Sequence, residues 1–156
     1  MEKVEEFLRT KVDGEGSDLT FPPHRPHQES SFFEYFILRG IKIHKLQRDS
    51  FSCSFQVPPR LTDGNGNLAV GAISALVDEI GAAAIHREGL AMDVSVDMSI
   101  SYLSPAKIND ELEIVSRFLG NRGSYYGTSV VIRNKLTGEV VAEGRHSLFR
   151  KPASKI

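Results

Sequence analysis

The sequence has little cysteine and no long apolar run. Its 156 residues include one cysteine, Cys53, which excludes an intramolecular disulfide framework and a cysteine-cluster metal site and favours a reducing compartment. No stretch reaches the roughly 18 charge-free apolar residues of a membrane-spanning helix. The first residues, MEKVEEFLRTK, are acidic and lack an apolar segment, so we predict neither a secretory signal nor a transit peptide.

An excess of either charge is also absent. The 19 lysines and arginines nearly balance the 20 aspartates and glutamates, for a formal net charge of −1, which gives no sign of a nucleic-acid partner. Hydrophobic residues make up 40% and charged residues 25%, as is typical of a soluble globular protein. The length suits one domain with its own core.

Metal and dinucleotide motifs are lacking as well. The histidines show no metal-ligand spacing; they are His24, His27, His44, His86 and His146. His146 alternates with apolar neighbours and is predicted to be a packed strand residue. The glycines of GNGNLA, from Gly64, match a dinucleotide fingerprint, but no strand leads directly into them and βαβ units are missing. The segment from Asp63 starts like a calcium loop but lacks the loop's later glycine and glutamate. We predict no metal and no cofactor.

The central feature of the sequence is the stretch 67–86, NLAVGAISALVDEIGAAAIH. It is long, apolar and rich in small residues, and we predict one helix over it. A turn-rich loop that starts at Asp63 leads into this helix. Asn67 is the expected N-cap, and Gly89 is a suitable stop signal.

Strand patterns lie on both sides of this helix. Period-two alternation of apolar and polar residues indicates half-buried strands. The predicted strands cover residues 41–46, 51–57, 94–102, 111–119, 125–133 and 139–149. In the third of these the alternation is unbroken and places Ser95 on the polar face.

The order of elements predicts an α+β fold, with one buried helix packed against an antiparallel sheet. Two strands precede the helix and four strands in a meander follow it. A short aromatic-rich helix is expected over 31–38, ahead of the first strand. We divide the chain into a tail or extension over 1–30, which includes a short helix over 1–13, a domain over 31–150 and a tail over 151–156.

Two adjacent acids, Asp78 and Glu79, lie in the middle of the apolar helix. Burying an ionised carboxylate is costly unless it is paired, so such a group usually has a task. Asp78 faces a stripe of small residues that would admit a substrate, which suits a general base or a nucleophile. Its alternatives are an acid on the solvated edge of the helix or one that pairs across a dimer. Glu79 lies about 100° further round, where a pairing with an arginine is expected, although it could be the acid instead.

Four segments together resemble the hotdog-fold acyl-CoA thioesterases, and within them the PaaI-like group of small thioesterases. They are LVD at 76–78, VSVDM at 94–98, YLSPA at 102–106 and GRH at 144–146. The resemblance covers about residues 33–150. It implies a hotdog fold, in which a curved antiparallel sheet wraps around one long central helix.

The resemblance also implies an acyl-CoA substrate and a homodimer or homotetramer with its active site between two subunits. Carried over residue by residue, Asp78 is the acid that activates water or attacks the thioester, and Ser95 is its supporting serine. Backbone N–H groups of Val70 and Gly71, at the start of the helix, would hold the developing oxyanion.

The start of the helix departs from the family pattern. Where the family has His-Gly-Gly, this chain has Ala69, Val70 and Gly71, although Val70 keeps its N–H. The family's Asn or Gln six residues earlier corresponds to Asp63. We expect Asp63, Asn67 and Ala69 to shape substrate binding.

We therefore predict an acyl-CoA thioesterase that hydrolyses a fatty or aromatic acyl-CoA to the free acid and CoA. The alternative is a non-catalytic hotdog protein that binds acyl-CoA or acts as a scaffold, which the change at Ala69 and Val70 would favour. The resemblance implies that a hydratase of this fold would use an aspartate and a histidine together. The sequence places no histidine beside Asp78. For the same reason no Ser-His-Asp triad is predicted.

The end of the sequence bears on localisation. Ser154, Lys155 and Ile156 differ by one conservative change from the peroxisomal address Ser-Lys-Leu. Peroxisomal import is one expectation, and a cytoplasmic protein with an ordinary basic tail is the other.

Overall fold

The computed structural model describes residue 25 and residues 31–47, 49–86 and 93–150. The chain divides into two units, Met1–Phe32 and Phe33–Ile156, and the sheet with its central helix belongs to the second. The predictions for 1–30, for the helix stop at Gly89 and for the tail 151–156 lie outside the described residues.

Two α-helices and six β-strands form the described fold. They are α1 (Phe32–Leu38), β1 (Lys42–Gln47), β2 (Ser50–Gln56), α2 (Val70–Ala83), β3 (Asp93–Tyr102), β4 (Glu111–Arg122), β5 (Tyr125–Asn134) and β6 (Val140–Arg150), with a 3-10 turn at Pro59–Leu61. The six predicted strands and the two helices predicted within the described ranges are confirmed, with ends shifted by at most three residues.

The six strands form one antiparallel sheet in the order β1-β2-β4-β5-β6-β3. The predicted meander is correct for β4, β5 and β6 but wrong for β3, which lies at the far edge beside β6. The reason is the length of α2, whose 14 residues span about 21 Å, close to four strand spacings of about 4.8 Å. The helix contacts β3, β4, β5 and β6 and delivers the chain to the opposite edge.

The core lies between α2 and the sheet. The helix buries Ile73, Leu76, Val77 and Ile80 against the inward side chains of the strands, such as Phe55, Leu112, Ile114, Ile132 and Val141. Helix and sheet approach closely at Gly144, where an added Cβ would lie 2.6 Å from Val77 Cγ1.

The start of α2 differs from the prediction. The N-cap is Ala69, with φ −62° and ψ 141° and no side-chain cap, so the assignment of Asn67 as N-cap was wrong. The preceding loop is pinned in an extended form, because Leu68 N–H donates to Ala106 O and Ala69 N–H donates to Leu61 O. Asn67 instead forms a β-bridge with Lys107.

Strand β3 is not the regular half-buried strand that its alternation predicted. A bulge separates Ser95, which lies opposite Leu148, from Asp97, which lies opposite Ser147. Since Leu148 is fully buried, Ser95 points to the helix side of the sheet rather than to the predicted polar face. As an edge strand, β3 leaves Val94 and Val96 60% and 54% exposed.

Candidate active site

A carboxylate, a hydroxyl and an imidazole meet beside the middle of α2. Ser95 Oγ donates a hydrogen bond of 2.6 Å to Asp78 Oδ1. His146 Nε2 lies 3.0 Å from Ser95 Oγ and 3.2 Å from Asp78 Oδ1. Asp78 and Ser95, which were selected from the sequence, are thus in direct contact.

His146 was missed as a member of this group. It is a buried strand residue as predicted, with 1% of its surface exposed, but the prediction that no histidine lies beside Asp78 or Ser95 was wrong. Its partner in the sheet register is Met98 of β3, three residues from Ser95. The sequence signal that could have found it was its place in the GRH segment of the family resemblance.

The hydrogen atoms of the cluster can be assigned by counting acceptors. The one hydroxyl proton of Ser95 goes to Asp78 Oδ1, because a carboxylate only accepts. In the contact with Ser95 Oγ, His146 Nε2 must then be the donor. Neutral His146 therefore carries its proton on Nε2. The arrangement is not a Ser-His-Asp triad, in which the imidazole accepts the serine proton.

The other ring nitrogen of His146 explains why the imidazole stays neutral. Nδ1 is buried and has no hydrogen-bond partner among the residues that the structure describes, so a protonated ring would leave an N–H there without an acceptor, which is costly. Burial lowers the pKa of His146 and outweighs the nearby Asp78 carboxylate, which acts in the opposite direction.

The two carboxylate oxygens of Asp78 differ in their contacts. Oδ1 takes both contacts with Ser95 and His146, whereas Oδ2 has no hydrogen-bond partner within the described ranges. The side chain is 38% exposed. The hydrogen bond from Ser95 and the nearby His146 ring orient the carboxylate through Oδ1 and leave Oδ2 for water or substrate.

The N-terminus of α2 supplies free backbone donors. The first N–H groups of a helix have no intrahelical partner, and the first bond here runs from Ile73 N–H to Ala69 O. Val70 and Gly71 are exposed, and Ala69 provides no side-chain cap. The N–H groups of Val70 and Gly71 are therefore available to an anion or a polarised carbonyl oxygen.

The loop residues predicted to bind substrate are engaged within their own loop. Asp63 Oδ1 accepts hydrogen bonds from Asn65 N–H at 2.8 Å and Asn67 N–H at 3.0 Å. These N–H groups lower the pKa of Asp63, which stays ionised at neutral pH and so has no proton to donate. Asn67 O accepts from Asp63 N–H. The loop thus directs Ala69 into the helix.

Glu79 lies on the same helix but not in the cluster. Burial raises its pKa, and the carboxylates of Glu34 and Asp78 add to the rise. The expected arginine partner is absent from the ion pairs of the described residues.

The described ranges contain no group of three or more histidine, cysteine, aspartate or glutamate residues that could hold a metal ion. None of their helices is long and apolar enough to cross a membrane.

Comparison with known proteins supports one family. The family model of the Thioesterase superfamily matches residues 65–139. Acyl-coenzyme A thioesterase 13 of Mus musculus is 35% identical over 112 residues, covering 71% of this chain and 80% of the mouse protein. The Homo sapiens protein of the same name is 38% identical over 96 residues, covering 61% and 69%.

Solved structures agree with the sequence relatives. The crystal structure of thioesterase superfamily member 2 from Mus musculus has a TM-score of 0.70 and 27% identity, and the match covers 95% of each chain. The relatives of this chain, its sheet order and the helix α2 that crosses the sheet together identify it as a member of the thioesterase superfamily with the hotdog fold.

Proposed function

We propose that this protein hydrolyses acyl-CoA thioesters and that Asp78 acts on the water. The observation that carries the proposal is the hydrogen-bond chain that ends on Asp78 Oδ1, in which His146 Nε2 donates to Ser95 Oγ at 3.0 Å and Ser95 Oγ donates to Asp78 Oδ1 at 2.6 Å. Oδ2 is the oxygen left to react. A substrate of this class agrees with the names of the relatives, which are acyl-coenzyme A thioesterases.

As general base, Asp78 Oδ2 takes a proton from water while the water oxygen bonds to the thioester carbon. The carbonyl becomes an oxyanion, and its collapse breaks the carbon–sulfur bond. The proton held by Asp78 passes to the leaving sulfur, so CoA and the free acid are released and the carboxylate is restored. The alternative is direct attack by Oδ2, which expels the CoA thiolate and gives a mixed anhydride that water then hydrolyses. In both cases Ser95 and His146 position the carboxylate.

The oxyanion needs donors that one chain does not place beside its own Asp78. Val70 and Asp78 are eight residues apart on the helix, which is about 12 Å along the axis. An antiparallel pair of helices would bring the start of one helix close to the acid of the other. We therefore propose a site shared between two subunits, with the N–H groups of Val70 and Gly71 acting on the opposite chain's reaction.

The edge strand β3 offers the surface for this pairing. An uncovered edge exposes unpaired backbone donors and acceptors, and Val94, Val96 and Met98 are exposed along it. Two copies of β3 joined around a twofold axis would extend the sheet across the dimer. A homotetramer would require a further surface. Light scattering measures the oligomeric state of the wild type and of Val96→Lys. The substitution should dissociate the dimer.

Apolar side chains near the start of α2 favour a fatty or aromatic acyl group. Val70 and Leu103 are each 58% exposed, and Ile108 is 41% exposed. Such a rim would bind hydrocarbon. Asp63, Asn67 and Ala69 shape this entrance through the conformation of the loop, which the Asp63 carboxylate holds, rather than through side-chain hydrogen bonds to the substrate.

The Asp78–His146 contact favours one second candidate, the hydration of an enoyl-CoA. However, the His146 side chain is fully buried and could not deliver a proton to a substrate without moving. A 2-enoyl-CoA that loses its conjugated absorbance without thiol release would support this candidate.

For the compartment, we propose peroxisomal import through Ser154, Lys155 and Ile156, with cytoplasmic residence as the alternative. A fluorescent protein fused ahead of residues 147–156, with and without Ile156, distinguishes them. Diffuse signal from both fusions would remove the peroxisomal proposal.

The decisive experiment is thiol release from short, long and aromatic acyl-CoAs by the wild type, Asp78→Asn and Glu79→Gln. We expect Asp78→Asn to lose about 100-fold or more in kcat. Glu79→Gln, the adjacent acid on the same helix, is the matched control and should keep most of the activity. A wild type that binds CoA esters without hydrolysing them would instead favour the non-catalytic protein.

A further inference from the structure

A second polar pair lies one helical turn from Asp78. Ser74 Oγ is 3.0 Å from Val70 O and 2.8 Å from Tyr102 OH. Ser74 precedes Asp78 by four residues, so both side chains lie on one face of α2. The pair therefore sits between the free N–H groups at the helix start and the reactive carboxylate.

The acceptors around this pair also determine where the hydroxyl protons of Ser74 and Tyr102 lie. A carbonyl oxygen only accepts, so Ser74 donates its one proton to Val70 O, as serines inside helices commonly do. In its contact with Ser74, Tyr102 must then be the donor. Both hydroxyl protons are committed, and the pair has no proton left for a substrate.

What the pair retains is an acceptor. The Tyr102 oxygen keeps a lone pair that no other described residue uses, and the residue is 46% exposed. Its sheet partner is Ala142, which is fully buried, so Tyr102 faces the helix side of the sheet. The lone pair is thus presented on the same side of the sheet as Asp78.

We propose that Tyr102, oriented by Ser74, accepts a hydrogen bond from an amide N–H in the thiol arm of the substrate. The proposal rests on the acyl-CoA thioesterase function above. In a CoA thioester, two methylene groups separate the sulfur from the first amide nitrogen. This spacer suits the rise of about 5.4 Å between Asp78 and Ser74, which lie one helical turn apart. The thioester would lie at Asp78 and the amide at the Tyr102 hydroxyl, which is 2.8 Å from Ser74 Oγ.

The Ser74–Tyr102 pair thereby discriminates between thiol arms, which are the leaving groups of the reaction, and not between acyl groups. An arm with an N–H completes the hydrogen bond. An arm with an ester oxygen at the same place cannot donate. Its lone pair would face the lone pair of the Tyr102 oxygen, and no hydrogen bond would form between them. We expect the wild type to prefer the amide arm by about five- to tenfold in kcat/KM, the scale of one neutral hydrogen bond.

The experiment compares two small thioesters with the same acyl group. One is the N-acetylcysteamine thioester, and the other replaces its amide N–H by oxygen, giving the S-acyl derivative of 2-acetoxyethanethiol. Thiol release from each is measured for the wild type, Tyr102→Phe and Ser74→Ala. Tyr125→Phe is the matched control, since Tyr125 is 56% exposed on β5, away from the cluster.

Tyr102→Phe should hydrolyse both compounds at similar kcat/KM, because it has no acceptor. In Ser74→Ala the Tyr102 proton is free to turn to an ester oxygen, so the preference should fall below that of the wild type. Tyr125→Phe should keep the full preference. A Tyr102→Phe variant that prefers the amide arm as strongly as the wild type overturns the proposal, as does a wild type without preference. Absence of hydrolysis of every thioester, acyl-CoA included, would overturn the proposed function itself.

Discussion

A Cβ built on Gly81 would lie 2.7 Å from His146 Nδ1 and 3.2 Å from Thr128 Oγ1. Helix α2 therefore approaches β6 so closely that a glycine fits beneath the imidazole and a larger residue does not. The contact explains why Nδ1 has no hydrogen-bond partner. It also explains a glycine inside a helix, where alanine would be favoured by about 1 kcal/mol.

Gly81→Ala should lower both stability and activity despite the better helix propensity of alanine. The added methyl group must displace the imidazole or the helix, at a cost of about 1–3 kcal/mol, and the displaced ring no longer holds Asp78. Urea unfolding and thiol release measure the two effects. Gly64→Ala is the control, because that position has open space and no positive φ. A Gly81→Ala variant that is more stable and fully active would contradict the close contact.

Ser95→Ala should lower kcat by about 10- to 100-fold, the scale of a lost hydrogen bond to a charged group. Ser99→Ala, on the same strand, should have little effect because Ser99 lies opposite exposed Arg145 on the outer face of the sheet. Thiol release from one acyl-CoA compares the two. Equal losses would mean that the bulge does not place Ser95 beside Asp78.

The pKa of His146 predicts a pH dependence of stability. It is lowered in the folded protein from its ordinary value of 6.5, so the unfolded chain binds more protons just below that pH. The free energy of unfolding then rises with pH. The contribution of neutral His146 to the free energy of unfolding is complete above pH 6.5 and is lost as the pH falls through the pKa of His146 in the folded protein.

Comparison with His146→Gln isolates this effect, since glutamine keeps a donor near Nε2 but does not titrate. Urea unfolding of both proteins from pH 7 downwards should show a steeper loss in the wild type. The raised pKa of Glu79 acts in the opposite direction at lower pH and cancels in the difference. Parallel curves would show that His146 titrates alike in both states.

Val70→Pro tests the backbone donor with little change to the fold. Proline is favoured at the first helical position, where its missing N–H has no intrahelical partner. The preceding Ala69 already has φ −62° and ψ 141°, as a residue before proline prefers. We expect a folded protein with kcat lowered by about 100- to 1,000-fold, whereas Val70→Ala, which keeps the N–H, should stay active.

Mixing Val70→Pro with Asp78→Asn tests the shared site. If the N–H and the acid come from different subunits, half of the dimers formed by co-refolding are mixed, and each has one intact site. About a quarter of the wild-type activity should return. If one chain supplied both groups, every site would keep a defect and no activity would return.

Much of the fold could be predicted because its signals are local. The strands follow from period two, and the central helix follows from a long apolar stretch of small residues. The order of the sheet could not be predicted, since it depends on how far α2 carries the chain across the strands. Asp78 and Ser95 were found through the family resemblance, whereas His146 was interpreted as packing because its neighbours in the sequence are apolar.

The sequence by itself determined the elements, the apolar helix with its acid and the likeness to the thioesterases, since these reside in residue types and short spacings. The tertiary structure decided that Ser95 faces Asp78, because a bulge is defined by the strand opposite it and the alternation of β3 alone places Ser95 on the other face. It also decided the proton on His146 Nε2, because that depends on a buried Nδ1 that has no hydrogen-bond partner among the described residues. Both features arise from contacts between residues distant in the sequence, and neither exists until the helix lies on the sheet.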